Sequence, residues 1–207
     1  MLFKNKTLVL LILNAVLTIG AGFGPRPGSY TTKWVILKEC IVKVNGSTNI
    51  NKFVCTVSGY ANSDTLTCIV SNGNKNSVVM NGQMALPVFN FDCVNKVMTR
   101  DLRKTLKEKL YPTFYIHFIS LERYPLLKST HELVSGQVTI ELAGVKKQLG
   151  VNYQISMDDR GIVEMKGEQS FYFSDFNMVA PRKMGGVVKA NDKLNVEFII
   201  HCRIIVS

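Results

Sequence analysis

The sequence predicts an all-β fold of many antiparallel strands with one helix. Apolar and polar residues alternate with a period of two in segment after segment, as in strands that bury one face. Turn signals such as Asn72-Gly73 and Ala143-Gly144 separate these segments and suit tight hairpin turns. Only residues 97–111 depart from the alternation, and their spacing is helical.

The predicted strands follow one another from the first tryptophan to the C-terminus. The last is the clearest, because Leu194, Val196 and Phe198 share one face with Ile200, while polar residues occupy the other face. The predicted strands lie around Trp34 to Ile36 and Val42 to Val44, and at 53–57, 66–71, 77–91, 113–119, 133–142, 146–157, 162–173 and 193–206.

The helical segment has one apolar stripe. Met98, Leu102, Leu106 and Leu110 recur every four residues, and Pro112 ends the helix. Its basic residues lie elsewhere around the helix and are predicted to face water. They are Arg100, Arg103, Lys104, Lys107 and Lys109.

Two architectures bury such strands. A closed barrel of about eight strands leaves room for one elongated ligand, and a helix across its mouth would place the apolar stripe against the lumen. A β-sandwich would fill the same inward positions by packing two sheets together. The period of two predicts both equally well.

The N-terminus resembles a secretory signal peptide. Lys4 and Lys6 precede an apolar run from Leu8, and small residues follow at Gly20. The apolar run is too short to span a bilayer of about 30 Å. We therefore expect a signal peptide at 1–22, a short linker at 23–32 and one domain at 33–207, located in the periplasm or secreted.

The net charge is basic, but its distribution does not favour a nucleic-acid partner. Removing Lys4 and Lys6 lowers it from +10 to +8, and the remaining basic residues are scattered, without interleaved aromatic residues for base stacking. No nucleic acid is expected as a partner. The basic helix is predicted to be a solvated face, with transient contact to an anionic membrane surface as the alternative.

No catalytic or metal-binding motif occurs in the sequence. His117, His131 and His201 are isolated, and no G-x-S-x-G, H-E-x-x-H or phosphate-binding loop is present. The sequence therefore predicts no enzyme, no metal and no cofactor. Five cysteines, at positions 40, 55, 68, 93 and 202, allow one or two disulfides in an exported protein and leave the pairing open.

Several motifs, in order, resemble those of the YceI-like family of exported lipid- and polyisoprenoid-binding proteins, in its Bacteroidetes form. Trp34-Val35-Ile36 resembles the opening strand, and the stretch 44–55 resembles G-S-[ST]-N-[VI]-N-x-F-x-C. The block 91–112 is similar to the family's helix and following Tyr-Pro. The stretch 136–147 is similar to G-x-L-T-I-x-G-V-[TK]-K, and 174–181 is similar to its D-F segment.

This resemblance implies a lipocalin-like antiparallel barrel with the helix beside its mouth and no catalytic residue. It implies that the protein sequesters or carries a lipid in the lumen; a secreted β-sandwich that binds protein or carbohydrate through its loops is the alternative. It also favours a disulfide between Cys55 and Cys93, which lie in family motifs. The predicted lumen residues are Trp34, Ile36, Phe53, Phe114, Ile116, Phe118, Phe171, Phe173, Phe198 and Ile200, and the predicted helix gate is Met98, Leu102, Leu106 and Leu110.

Overall fold

The computed structural model of the protein describes residues 28–71 and 77–206. The predicted signal peptide and the first part of the linker lie outside the described residues. The first strand begins at Ser29, inside the predicted linker 23–32. No helix of the described residues is long and apolar enough to cross a membrane.

The described chain consists mainly of strands, with one α-helix between the fifth and sixth. The elements are β1 (Ser29–Ile36), β2 (Ile41–Ser47), β3 (Lys52–Ser58), β4 (Thr65–Ser71), β5 (Val78–Pro87), α1 (Lys96–Thr105), β6 (Thr113–Leu121), β7 (Glu132–Leu142), β8 (Val145–Met157), β9 (Ile162–Tyr172), β10 (Arg182–Lys183), β11 (Val188–Lys189) and β12 (Lys193–Val206).

Eight strands close into an antiparallel barrel, in the order β1-β4-β5-β6-β7-β8-β9-β12. The ring closes because β12 pairs with β9 along one edge and with β1 along the other, where Trp34 faces Ile204. The N-terminal half of β12 pairs with β2 instead, so β1 and β2 follow each other along the same strand. The predicted barrel is confirmed, and the sandwich alternative is wrong as a fold.

The segment that precedes α1 covers the free edge of β3. β3 pairs with β2 on one side, and on its other side the backbone of Thr56 exchanges hydrogen bonds of 2.7 and 2.9 Å with Asp92. A disulfide joins Cys55 to Cys93 beside this bridge. An otherwise open sheet edge is thereby paired and covered.

The helix is shorter than the predicted 97–111. Asn95 caps its start by accepting hydrogen bonds from the backbone N–H groups of Val97 and Met98 at 2.9 and 3.1 Å. The helix ends at Thr105, and Lys107 follows in a left-handed conformation, with φ of 56°. That reversal rotates Leu110 away from the apolar stripe, and its side chain is 75% exposed.

The inside of the barrel is solid at one end. Trp34, Leu66, Leu121 and Ile155 are fully buried there. Tyr124, from the 122–131 connection, packs edge-on against Trp34 with ring centroids 5.9 Å apart. We call this the closed end; it carries the connections 122–131 and 158–161. The opposite end, the cavity end, carries the connections 48–51, 88–112, 143–144 and 173–192.

Candidate functional site

The barrel is hollow at the cavity end. About 110 Å³ of free space lies between the first half of β12, the start of β6 and the end of β7. Its lining is apolar apart from one amide and two phenol groups. The lining residues are Val42, Val44, Phe91, Leu102, Leu106, Phe114, Ile116, Phe118, Val138, Ile140, Leu142, Leu149, Val151, Tyr153, Gln169, Phe171, Tyr172, Phe173, Phe176, Met178, Leu194, Val196, Phe198 and Ile200.

Seven of the ten predicted lumen residues line this cavity: Phe114, Ile116, Phe118, Phe171, Phe173, Phe198 and Ile200. Trp34 and Ile36 do not line it, because β1 spans the closed end, where the interior is filled. Phe53 lies on β3, outside the ring of eight, and its ring covers Gly46, whose Cβ would lie 2.2 Å from it. Alternation identifies the inward face of a strand but not the height along the barrel.

Only part of the predicted helix gate lines the cavity. Leu102 and Leu106 are buried and line the cavity. Met98 is half-buried against the core without lining the cavity, and Leu110 projects into solvent. One leucine of α1, Leu102, and the residue that follows the helix, Leu106, therefore cover the lumen, rather than the whole predicted stripe.

Sequence reasoning missed several lining residues. Val138, Ile140 and Val151 lie on the inward faces of strands that the alternation had already predicted, so their pattern was sufficient to find them. Phe176 and Met178 had no such signal. They belong to an irregular segment, and only its position over the cavity makes them part of the lining.

That irregular segment is a second cover over the cavity. A 3-10 turn at Phe173–Phe176 follows β9 and buries both phenylalanines. Asp175 accepts a hydrogen bond from the backbone N–H of Tyr172 at 3.0 Å and forms an ion pair with Lys147 of β8. The hydrogen bond from Lys147 holds the pKa of the Asp175 carboxyl below its usual value.

β8 and β9 separate at the cavity end. They pair from Met157–Val163 to Tyr153–Gly167 and no further, although both strands continue. Beyond that point β8 pairs only with β7, and β9 only with β12. The ion pair between Lys147 of β8 and Asp175, in the 3-10 turn that follows β9, crosses this space. We call this gap in the backbone pairing of the barrel wall the side opening.

Four cavity-lining residues border the side opening. Leu149 and Val151 lie on its β8 side, and Gln169 and Phe171 lie on its β9 side. All except Val151 are partly exposed, so the apolar lining continues from the cavity to the surface. The side opening is therefore bordered by uncharged, mostly apolar lining residues, and the Lys147–Asp175 ion pair crosses it.

The cavity offers little acid–base chemistry. Its lining contains no carboxylate, imidazole, thiol or aliphatic hydroxyl group among the described residues. Burial raises the pKa of the Tyr153 phenol, which stays protonated at neutral pH. Cys40, Cys68 and Cys202 are free thiols, buried in the core away from the cavity. No group of three or more metal-ligating side chains occurs in the described part of the chain.

A closed antiparallel barrel with a hollow apolar half is the architecture of proteins that hold one small or elongated apolar ligand. No family model matches the chain, and no curated protein matches it. Similarity to solved structures is found over most of its length.

A polyisoprenoid-binding domain from Saccharophagus degradans, implicated in plant cell wall breakdown, aligns with a TM-score of 0.58 at 10% identity, over 83% of this chain and 97% of that one. BcnA from Burkholderia cenocepacia aligns with a TM-score of 0.54 at 12% identity, over 80% and 96%. The YceI protein of Campylobacter jejuni aligns over 58% and 70% at 16% identity, with a TM-score of 0.44. The first two share the fold of this protein.

Proposed function

We propose that this protein is an exported, non-catalytic carrier that holds a slender apolar ligand, an isoprenoid or another lipid, in the hollow half of its barrel. The observation that carries the proposal is the lining of the cavity, where 21 of 24 side chains are purely apolar. Such a surface gains free energy when an apolar chain replaces water, at roughly 0.8 kcal/mol for each buried CH₂.

We further propose that the chain is a divergent member of the YceI-like family, of its Bacteroidetes form. Two contacts between family-like motifs support this. Lys147, from the Gly-Val-Lys-Lys motif, pairs with Asp175 of the Asp-Phe motif. Tyr111, of the Tyr-Pro motif, packs so closely on Gly144 that a Cβ there would lie 2.5 Å from its ring. Motifs far apart in sequence thus meet at the cavity end.

The cavity favours a thin ligand over a bulky one. Its free space of about 110 Å³ is of the order of a cavity that holds a single aromatic ring. A longer chain fits if part of it passes through the side opening beside Leu149 and Phe171, or if the phenylalanines of the lining rotate. We therefore expect a linear or isoprenoid chain to bind more tightly than a fused-ring molecule of equal carbon number.

The absence of catalysis is proposed from the same lining. General acid–base catalysis needs a group that exchanges protons near neutral pH, and nucleophilic catalysis needs an activated hydroxyl, thiol or amine. The polar groups of the lining are an amide and two phenols, and the pKa of the Tyr153 phenol is raised by burial. These groups are suited to orienting a polar head group by hydrogen bonds.

Export to the periplasm or beyond the cell is supported by the signal-peptide pattern and by cysteine chemistry. A disulfide between Cys55 and Cys93 persists in an oxidising compartment and would be reduced in most cytosols. N-terminal sequencing of the protein recovered from its native compartment tests this, and we expect cleavage near residue 22.

Lipid content is the direct test of the proposed function. The protein is purified without detergent, extracted with organic solvent and analysed by mass spectrometry, with native mass spectra before and after extraction. We expect one copurifying apolar species per chain. The delipidated protein is then loaded with a fluorescent polyene, and isoprenoid alcohols of increasing length are added as competitors. We expect the Kd of the alcohol to fall roughly fourfold for each further methylene equivalent that is buried, until the lumen is full. The carrier proposal is wrong if the protein is empty after purification and binds neither the polyene nor any alcohol.

A further inference from the structure

The outer face of α1 has a composition that folding of this chain does not explain. Leu102 and Thr99 bury the inner face of the helix. The outward positions carry Lys96, Val97 and Arg100 with Lys104, and all four are exposed. We call this face, together with its flanking residues from Phe89 to Tyr111, the α1 surface.

Large apolar side chains project from the α1 surface into solvent. Val94 is 94% exposed and Leu110 is 75% exposed, and both lie within a few residues of the helix. Neither side chain lines a pocket of the described structure. The exposed apolar residues of the surface are Phe89, Val94, Val97, Leu110 and Tyr111.

Most positive charges of the α1 surface form no ion pair, although Asp92 and Glu108 line a shallow pocket together with Lys96 and Arg100. The acidic residue of the helix, Asp101, pairs with Lys183 of β10. Arg103 turns inward, where it donates to the backbone carbonyl of Phe91 at 2.9 Å. Five basic residues have no carboxylate within 4.0 Å among the described residues, and they are Lys96, Arg100, Lys104, Lys107 and Lys109.

Val94 combines exposure with backbone strain. Its φ of 64° lies in the left-handed region, which a β-branched residue rarely adopts and which glycine or asparagine accepts at little cost. The side chain gains no burial in return. An exposed valine in this conformation is unfavourable for folding, and burial within the chain does not offset that cost.

The closed end of the barrel provides a comparison within the same molecule. Its described connections expose one large apolar side chain, Leu126, and four of their six Asp, Glu, Lys and Arg side chains form ion pairs, whereas Lys128 and Asp159 form none. Arg123 contacts both Glu122 and Glu132, and Arg160 contacts Asp158 at 2.8 Å. A cluster of several unpaired basic residues together with several protruding apolar side chains thus distinguishes the α1 surface from these connections.

We propose that the α1 surface docks on a membrane that contains anionic lipid. Basic side chains near such a surface each strengthen binding by roughly fivefold, and protruding valine, leucine and aromatic side chains enter the head-group boundary. The inner face of the same helix lines the cavity through Leu102 and Leu106. This proposal rests on the proposed function and deepens it. Docking would bring the lumen next to the membrane leaflet that supplies or receives the lipid.

Vesicle binding by the delipidated, full-length mature protein tests docking separately from cargo. Phosphatidylcholine vesicles with and without phosphatidylglycerol are sedimented at low and high salt. We expect binding to the anionic vesicles only, with at least a tenfold loss at high salt. A Val94→Asp/Leu110→Asp variant should lose at least tenfold, whereas Leu126→Asp, a similarly exposed leucine at the closed end, should bind normally.

Val94→Gly separates docking from folding. Glycine accepts the left-handed backbone, so this variant should melt at a higher temperature than the wild type and still bind anionic vesicles several-fold more weakly. Cargo binding by Val94→Asp/Leu110→Asp, measured with the fluorescent polyene, should be unchanged. If the wild-type protein binds anionic vesicles but does not bind the polyene, the carrier proposal is refuted and the docking proposal is supported.

Three results would overturn docking. They are equal binding to zwitterionic and anionic vesicles, an equal loss in Leu126→Asp and in the double variant, and self-association of the wild type without vesicles that the double variant abolishes. The last would assign the α1 surface to contacts between copies of this chain.

Discussion

Tyr153 and Gly167 are the last residues to pair β8 with β9 in the direction of the cavity. The ring of Tyr153 meets Phe198 edge-on with centroids 5.7 Å apart, and Phe198 occupies the space in which a side chain at position 167 would lie. Glycine at 167 therefore lets Phe198 close the floor of the side opening. Above it, the wall depends on the ion pair between Lys147 and Asp175.

That ion pair predicts a pH-dependent exchange of ligand. Because the pKa of Asp175 is lowered in the folded protein, chiefly by the hydrogen bond from Lys147, the pair stabilises the wall at and above the usual aspartate pKa of about 4. The stabilisation is lost as the pH falls through the lowered pKa. We expect the release rate of a bound fluorescent polyene to be slow at neutral pH and to rise in strongly acidic buffer.

Variants identify the group responsible. Lys147→Ala and Asp175→Asn should release the polyene several-fold faster at neutral pH and lose most of the pH effect in stopped-flow measurements. Lys146→Ala is the matched control, because Lys146 pairs with Glu141 instead, at 3.3 Å. Near-UV circular dichroism checks that the acidic samples stay folded, and an acid response that persists unchanged in Asp175→Asn would rule out this pair as its source.

The same substitution should lower the free energy of unfolding by different amounts in the solid and hollow halves of the barrel. Ile36 and Ile200 are equally buried, but Ile36 belongs to the closed end and Ile200 borders the cavity. Ile36→Ala should lower the free energy of unfolding by about 4 kcal/mol, and Ile200→Ala by about 2 kcal/mol, since fewer neighbours lose contact at the cavity. Urea unfolding measures both, and equal losses would contradict a half-hollow interior.

The cysteines predict a thiol count that depends on folding. Burial raises the pKa of the Cys68 thiol to about 12 and also raises the pKa values of Cys40 and Cys202. Because the thiolate is the reactive form, a disulfide reagent at mildly alkaline pH should find no reactive thiol in the folded mature protein, three after denaturation and five after reduction as well. Any reactive thiol in the folded protein would contradict this burial.

Reduction of the disulfide should destabilise the fold. The bond between Cys55 and Cys93 closes a loop with a sequence separation of 38, which corresponds to roughly 4 kcal/mol in the chain-entropy model. We expect Cys55→Ala/Cys93→Ala to unfold at lower urea concentration. Hydrogen exchange should increase first at the Thr56–Asp92 bridge and in α1, and uniform exchange throughout the barrel would argue against this local role.

The sequence predicted the strands and the closed barrel better than the site. Alternation assigns Trp34 and Phe198 to inward faces, and both point inward, yet only Phe198 lines the cavity. Which of them meets empty space depends on how far along the barrel each strand crosses its neighbours. Leu110 fails for a local reason, because the left-handed Lys107 ends the helical stripe before it. The side opening is a gap in the pairing of β8 with β9, whereas the sequence pattern of each of these strands is regular.

The helix predicts where the lumen can be blocked from inside. Leu106 is buried and lines the cavity, whereas Leu110, four residues later, is 75% exposed and outside it. Leu106→Trp should fill the free space under α1 and reduce polyene binding at least tenfold, with a stability loss of about 1–3 kcal/mol from overpacking. Leu110→Trp adds the same side chain at a solvent-facing position and should leave cargo binding unchanged. Titrations with both folded variants decide this, because undiminished binding by Leu106→Trp would show that the ligand occupies some other part of the molecule.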